Sequence, residues 1–286
     1  MNGLLKRPYG NTKVELSIIG FGGIVVMDAE QAHADRVVGE AVERGVNYFD
    51  VAPTYGDAQE KLGPALEPYR KDVFLACKSE KRDRKTAEAE FEESLKLLRT
   101  GYFDLYQLHA LADVEKDVQA VFQKGGVFDM IRERQKAGQV RFIGFSAHST
   151  EAALYALDQF DFDSVLFPFN FACWYKNGFG PEVMKRAQEK GAARLVLKAM
   201  ARQNWCENHP RRNEFPKAWY EPLIERKQAE LGLRWALSQP VTACVSPGEE
   251  SLFRLALDMA ENFRPVTEEE TAQLEAEAQK LNPIFG

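Results

Sequence analysis

The strongest constraint on this chain is an alternation: eight short apolar runs, rich in β-branched or aromatic residues, are separated by longer stretches with helical period. The runs cover 18–21, 47–50, 73–78, 105–108, 141–146, 164–167, 195–198 and 241–245, and helical patterns fall at 35–44, 85–98, 128–136, 151–159, 181–190 and 227–238. Strands that each lead into a helix predict an α/β protein with a closed parallel barrel, the (β/α)8 or TIM fold. Such a barrel takes about 250 residues, so residues 1–286 are expected to form one domain. An open doubly wound sheet is the alternative, but the Gly-x-Gly-x-x-Gly turn it would carry after its first strand is missing.

Two segments stand outside the repeat. Residues 4–16 place turn formers between two short extended runs, which predicts an N-terminal β-hairpin that could plug the barrel bottom. Residues 267–281 open with Thr267 and Glu270 at capping-box spacing, which predicts an extra C-terminal helix. The longest irregular stretch, 201–221, interleaves Trp205, Phe215, Trp219 and Tyr220 with Arg202, Arg211, Arg212 and Lys217. Long loops in compact domains are usually lids or binding loops. This one follows the seventh strand on the expected active face, so Trp205, Trp219 and Arg202 are expected to cover substrate.

Composition narrows the function classes. A net charge of -6 gives no reason to expect a nucleic-acid partner. No apolar stretch approaches the roughly 20 residues of a membrane helix, and residues 1–8 lack a secretory core, so the default expectation is a cytoplasmic protein. Cys77, Cys173, Cys206 and Cys244 show no C-x-x-C pair and read as reduced thiols, with Cys77 and Cys244 in core strands and Cys173 and Cys206 in loops. Oligomeric state is not written in the sequence.

In a closed parallel barrel, the C-terminal ends of all strands open onto one face. Asp50, Lys78 and His109 end three successive runs and Tyr55 follows the first of them, so a carboxylate, an ammonium, an imidazole and a phenol are expected to share one cleft. At Gly20-Phe21-Gly22-Gly23, Phe49-Asp50-Val51-Ala52-Pro53-Thr54-Tyr55-Gly56, Ala76-Cys77-Lys78 and Tyr106-Gln107-Leu108-His109, the chain resembles the aldo-keto reductase superfamily. Gly144-Phe145-Ser146 and the run from Leu233 to Gln239 extend the resemblance over nearly the whole chain. It implies a barrel that binds a nicotinamide cofactor across its C-terminal mouth and interconverts small carbonyls and alcohols.

The chemistry fits those residues. A phenol with a pKa near 10 exchanges protons poorly at neutrality, and an adjacent ammonium stabilises its anion. Tyr55 is then the general acid and base, Lys78 lowers its pKa, Asp50 orients Lys78, and His109 hydrogen-bonds the carbonyl oxygen. For the cofactor, the resemblance implies close backbone approach at Gly22 and Gly23, a carboxamide contact from Ser146, and phosphate binding around Ser246 and Gly248. It also implies an adenosine-phosphate contact from Arg254 and an adenine contact from Asp258. Lys198 would offer positive charge to the pyrophosphate or the substrate. The usual asparagine after Ser146 is Ala147, the glutamine near the sixth strand is missing from 167–170, and Lys198-Ala199-Met200 replaces the ring-stacking tyrosine. Gly248 stands where many members have lysine, with Glu249 and Glu250 beside it. NADP(H) is favoured and NAD(H) stays open. Two other readings remain: a nucleotide-binding regulatory barrel with little turnover, and a metal-dependent hydrolase using Asp50, His109 and His148.

Overall fold

Parallel strands are stable only with both faces covered, and the hairpin, the barrel interior and the helical ring meet that demand in turn. The computed structural model describes residues 4–286, so three of the eight N-terminal residues read for a secretory core lie outside the described residues. Strands β1 (Lys6–Pro8) and β2 (Glu15–Ser17) form the antiparallel hairpin. Its turn is closed by Tyr9 N donating to Val14 O at 2.8 Å. Gly10 sits at φ +56°, and a Cβ there would lie 2.8 Å from Gly191 O. Tyr9 is fully buried, donates its hydroxyl to Ser164 Oγ at 2.8 Å, and packs on Phe74 and Phe142. The hairpin is thus sealed onto the N-terminal end of the barrel, as the sequence predicts.

The barrel strands are β3 (Ile19–Gly22), β4 (Tyr48–Asp50), β5 (Phe74–Ser79), β6 (Phe103–Leu111), β7 (Val140–Ala147), β8 (Ser164–Pro168) and β9 (Ala193–Leu197). A short antiparallel ribbon of β10 (Ala201–Gln203) and β11 (Glu221–Pro222) follows. Strand β12 (Ala243–Val245) closes the ring by pairing with both β9 and β3. Tyr48, Phe74, Leu105, Leu166 and Leu195 fill the interior, so the barrel is a packed core with chemistry left only at its rim.

Ten α-helices lie among the described residues: α1 (Gln31–Glu43), α2 (Ala58–Leu66), α3 (Arg84–Leu97), α4 (Val127–Lys136), α5 (Thr150–Gln159), α6 (Phe171–Asn177), α7 (Pro181–Glu189), α8 (Arg226–Ser238), α9 (Glu250–Ala260) and α10 (Glu268–Ala278). Two of them depart from sequence expectation. Helix α2 holds Gly63 and Pro64, poor helix formers, and its reason is tertiary: a Cβ on Gly63 would sit 2.0 Å from Leu97 O, so α2 lies backbone to backbone on the end of α3. Helix α6 is capped by Asn170, whose side chain accepts from Cys173 N at 2.9 Å, and it ends at Gly178 with φ +64°. Cys173 is therefore a buried helical thiol, a correction to its expected place in a loop. Helix α10 carries the expected capping box of Thr267 and Glu270. No helix among the described residues is long and apolar enough to cross a membrane.

Candidate active site

The rim geometry follows from strand alternation. In β4, Tyr48 and Asp50 are two apart and face the same way, as do Gln107 and His109 in β6, so polar groups from neighbouring strands converge. The Lys78 ammonium is completely buried, is bonded to Asp50 Oδ1, and donates to Val51 O at 3.3 Å. The other Asp50 oxygen accepts from Tyr48 Oη at 3.1 Å and Gln107 Nε2 at 3.2 Å. Lys78 Nζ lies 5.1 Å from the Tyr55 ring centroid, and the Tyr55 and His109 rings meet edge to face at 5.9 Å. All four expected catalytic residues line one cavity of about 300 Å³ at the strand C-termini. A larger groove of about 590 Å³, lined by Phe169, Trp174, Met184 and Pro240, holds none of them.

Electrostatics set the charge states. Burial would push Lys78 down, but Asp50 overrides it and the ammonium is held above its usual pKa. Tyr55 departs from expectation: burial raises the phenol, Lys78 pulls it back, and burial wins, so the net shift is upward. Lys78 acts in the expected direction without bringing the phenol below its ordinary value. His109 is lowered to about 2 by burial and by Lys78, so its ring is neutral. Its Nδ1 lies 3.3 Å from Glu80 Oε1, but off the hydrogen-bond direction, and has no partner. Arg82 anchors the strand end by donating to His109 O at 2.8 Å.

The cofactor set divides. Gly22 N donates to Ser246 Oγ at 3.1 Å, and a Cβ on Gly22 would lie 2.8 Å from Ser246 O, while one on Gly23 would lie 2.8 Å from Val51 Cγ2. Both glycines are thus demanded by packing between barrel neighbours. Ser146 Oγ accepts from Ala110 N at 2.8 Å and keeps its own proton free to donate. A Cβ on Gly248 would lie 2.4 Å from Ile24 Cγ2, which explains why no lysine stands there. Gly22, Ser146, Lys198, Ser246 and Gly248 line the cavity. Arg254 and Asp258 sit on α9 beyond it: Arg254 is bonded to Glu40 and Glu250, and Asp258 accepts from Arg44 at 2.7 Å. Both are already engaged within the protein.

The expected substrate set needs correction. Trp219 lines the cavity, but Trp205 donates its indole N–H to Ala218 O at 2.9 Å and so braces the loop from within. Arg202 lies in β10, where Glu221 takes its guanidinium at 2.7 Å and Glu277 lies 3.8 Å away, at a separate cavity. Ribbon pairing turns Arg202 away from the rim. Lys217 carries the loop's other anchor, donating to the carbonyls of Ile24, Val25 and Met27 at 2.7–3.2 Å while its backbone N–H binds Glu249. The loop therefore bridges the two sides of the cleft. Sequence reasoning missed Tyr48 and Gln107, which period-two alternation with Asp50 and His109 could have found. It also missed Phe285, which stacks on His148 at 5.5 Å and meets Trp219 at 5.9 Å, and which no local pattern announces.

A model of the aldo/keto reductase family matches residues 19–278, and the chain belongs to that family of oxidoreductases. It is 24% identical to an uncharacterized oxidoreductase, YqkF, of Bacillus subtilis, over 95% of both chains. It is 26% identical to an L-galactose dehydrogenase of Arabidopsis thaliana, over 95% of this chain and 91% of that protein. In structure it resembles the holo form of an aldo-keto reductase from Bacillus halodurans, with a TM-score of 0.72, 22% identity and 98% of each chain covered.

Proposed function

We propose that this protein is an NAD(P)(H)-dependent oxidoreductase that interconverts a small aldehyde, ketone or sugar-like carbonyl and its alcohol, with Tyr55 as general acid and base. The supporting observation is the meeting of Tyr55, Lys78, Asp50 and His109 at one cavity, with Lys78 fully buried on Asp50 and facing the phenol. Burying a charge costs desolvation that its pairing only partly repays, and such groups cluster at functional sites.

The donor set fits a nicotinamide cofactor, because Ser146 keeps a free proton at the rim and Gly22, Ser246 and Gly248 line the same cavity without a charged side chain of their own. Gly22, Ser146, Ser246 and Gly248 would hold it; when bound, the nicotinamide supplies or accepts hydride. The protein's own residues handle the proton. With its pKa raised, Tyr55 is protonated at neutrality and donates from its hydroxyl to the alkoxide oxygen in reduction. Lys78 stabilises the phenolate left behind, and Asp50, held by Tyr48 and Gln107, keeps the ammonium in place. Neutral His109 hydrogen-bonds the same oxygen without competing for the proton. Trp219 and Tyr220 cover the cavity and limit water.

NADPH is proposed to bind ahead of NADH, by a reduced margin. Glu40 and Glu250 already share Arg254, so an added phosphate must displace a carboxylate. A hydrolase reading lacks a ligand set, since Asp50 is committed to Lys78 and no three His, Cys, Asp or Glu converge among the described residues. The deciding assay is a panel of aldehydes, ketones and alcohols followed at the nicotinamide absorbance with both cofactors. Turnover of any panel member supports the proposal. Binding of cofactor with no hydride transfer in single turnover replaces it with the regulatory reading.

A further inference from the structure

Three lysines line the cavity, and two are spoken for: Lys78 by Asp50, and Lys217 by three backbone carbonyls. Lys198 is different. It directly follows β9 and takes φ +68°, a left-handed conformation that strains a non-glycine residue and that clusters at functional sites. Its ammonium lies 5.2 Å from the Trp219 ring centroid and 4.9 Å from that of Tyr220, so two aromatic faces hold it in position. No carboxylate is near enough to raise its pKa, which burial lowers to about 8. A strained, partly buried cation with aromatic supports and no paired carboxylate is an incomplete pair.

The surroundings indicate what completes it. Lys198 lies near enough to His148 to disfavour that ring's protonation, and His148 does the same to His109. Phe285 closes the wall by stacking on His148 and touching Trp219. Lys198, His148, His109 and Tyr55 line one cavity, so an anion on Lys198 would share it with the proposed proton donor. Ser246 to Gly248 line the same cavity after β12 and are the residues proposed for the phosphates of a cofactor.

We propose that Lys198 is a specificity-determining residue that binds a carboxylate of the substrate, so that the preferred carbonyl compound is an oxo acid whose anion lies a few bonds from its reacting carbon. The inference rests on the proposed carbonyl reductase reading and adds the substrate's charge to it. Desolvation strengthens the charge-assisted contact, and neighbouring His148, neutral because burial and Lys198 lower it to about 4, can donate one further hydrogen bond.

The test compares 4-oxobutanoate with butanal, two aldehydes of equal chain length that differ in the carboxylate, in wild type, Lys198→Met and Lys198→Arg. Wild type is expected to favour 4-oxobutanoate in kcat/KM by about 10-fold to 100-fold, the usual value of a charge-assisted contact. Lys198→Met should erase most of that ratio through KM, whatever happens to the absolute rates, and Lys198→Arg should retain a large part. Succinate, which cannot react, should quench tryptophan emission of the NADPH-loaded protein, with a Kd at least about 10-fold weaker in Lys198→Met. If Lys198→Met does not fold, Lys198→Gln takes its place. A wild-type ratio near one, or a ratio unmoved by the substitution, overturns the proposal. If NADPH affinity falls while the ratio holds, the lysine serves the cofactor's phosphates and the proposal is also overturned. If neither these aldehydes nor any member of the wider panel turns over but succinate binding depends on Lys198, the carboxylate site stands and the reductase reading fails.

Discussion

Strand β6 carries a buried polar cluster at each end, and the two are built differently. At the N-terminal end, Asp104 Oδ2 accepts from Arg70 and from Leu75 N, while its other oxygen meets Arg141. Arg70 spends its remaining donors on Thr100, Val73 and Tyr102 and stacks 4.0 Å from the Tyr102 ring centroid. At the C-terminal end, Gln107 Oε1 and His109 Nδ1 have no partner, and Lys78 faces a phenol that opens on the cavity. A saturated network rigidifies; a partly satisfied one is costly and persists where chemistry needs free groups. The comparison matches the proposal that the barrel bottom serves stability and the top serves chemistry, the usual division in this architecture.

The largest effect that could break this division is expected at Tyr55. Tyr55→Phe should lower kcat for carbonyl reduction by about 100-fold to 10,000-fold while thermal stability and cofactor affinity stay close to wild type. Near-normal turnover in folded protein would remove Tyr55 from its role. Asp104→Asn should do the reverse, costing about 3 kcal/mol in urea unfolding because Arg70 loses its buried counter-charge, with kcat of the folded protein retained. A large loss of kcat without loss of stability would erase the contrast between the two ends.

Lys78→Met sharpens the top cluster by its pH dependence. Alcohol oxidation needs the phenolate, so its rate climbs as pH rises toward the Tyr55 pKa, which burial has already raised. Removing Lys78 takes away the charge that favours phenolate, so the climb should move to still higher pH and the neutral rate should fall. A profile that does not move would make Lys78 a structural cation, like Arg70. The smallest effect is expected at Arg254: Arg254→Ala should narrow the preference for NADPH over NADH by only about 3-fold to 10-fold, since two carboxylates already dilute its charge. Fluorescence titration of both cofactors checks this, and tighter NADH binding to wild type would reverse the cofactor order.

The meeting of Asp50, Tyr55, Lys78 and His109 in one cavity was legible because it follows a local rule. Strand ends mark the rim, and Asp50, Lys78 and His109 end strands or lie next to their ends. The loop after β9 was not legible in the same way. Its aromatic and basic composition is shared by Trp205, Arg202 and Trp219, yet only Trp219 reaches the cavity, because pairing of β10 with β11 aims Arg202 at Glu221 and a hydrogen bond turns Trp205 inward. Local composition carries no information about which face of a ribbon meets the rim.

The sequence by itself determined the barrel, the sealing hairpin, the capped last helix and the convergence of Asp50, Tyr55, Lys78 and His109 at the rim, because apolar periodicity, turn chemistry and strand ends are short-range signals. Tertiary structure alone decided the rest. Whether the phenol's pKa fell or rose depended on how much burial opposed Lys78. Whether Arg254 stood free depended on Glu40, far away in sequence, and whether Lys198 stood free depended on which side chains the closed barrel brought beside it. Desolvation and charge pairing are set by three-dimensional neighbours, and those neighbours exist only once the eight strands have closed.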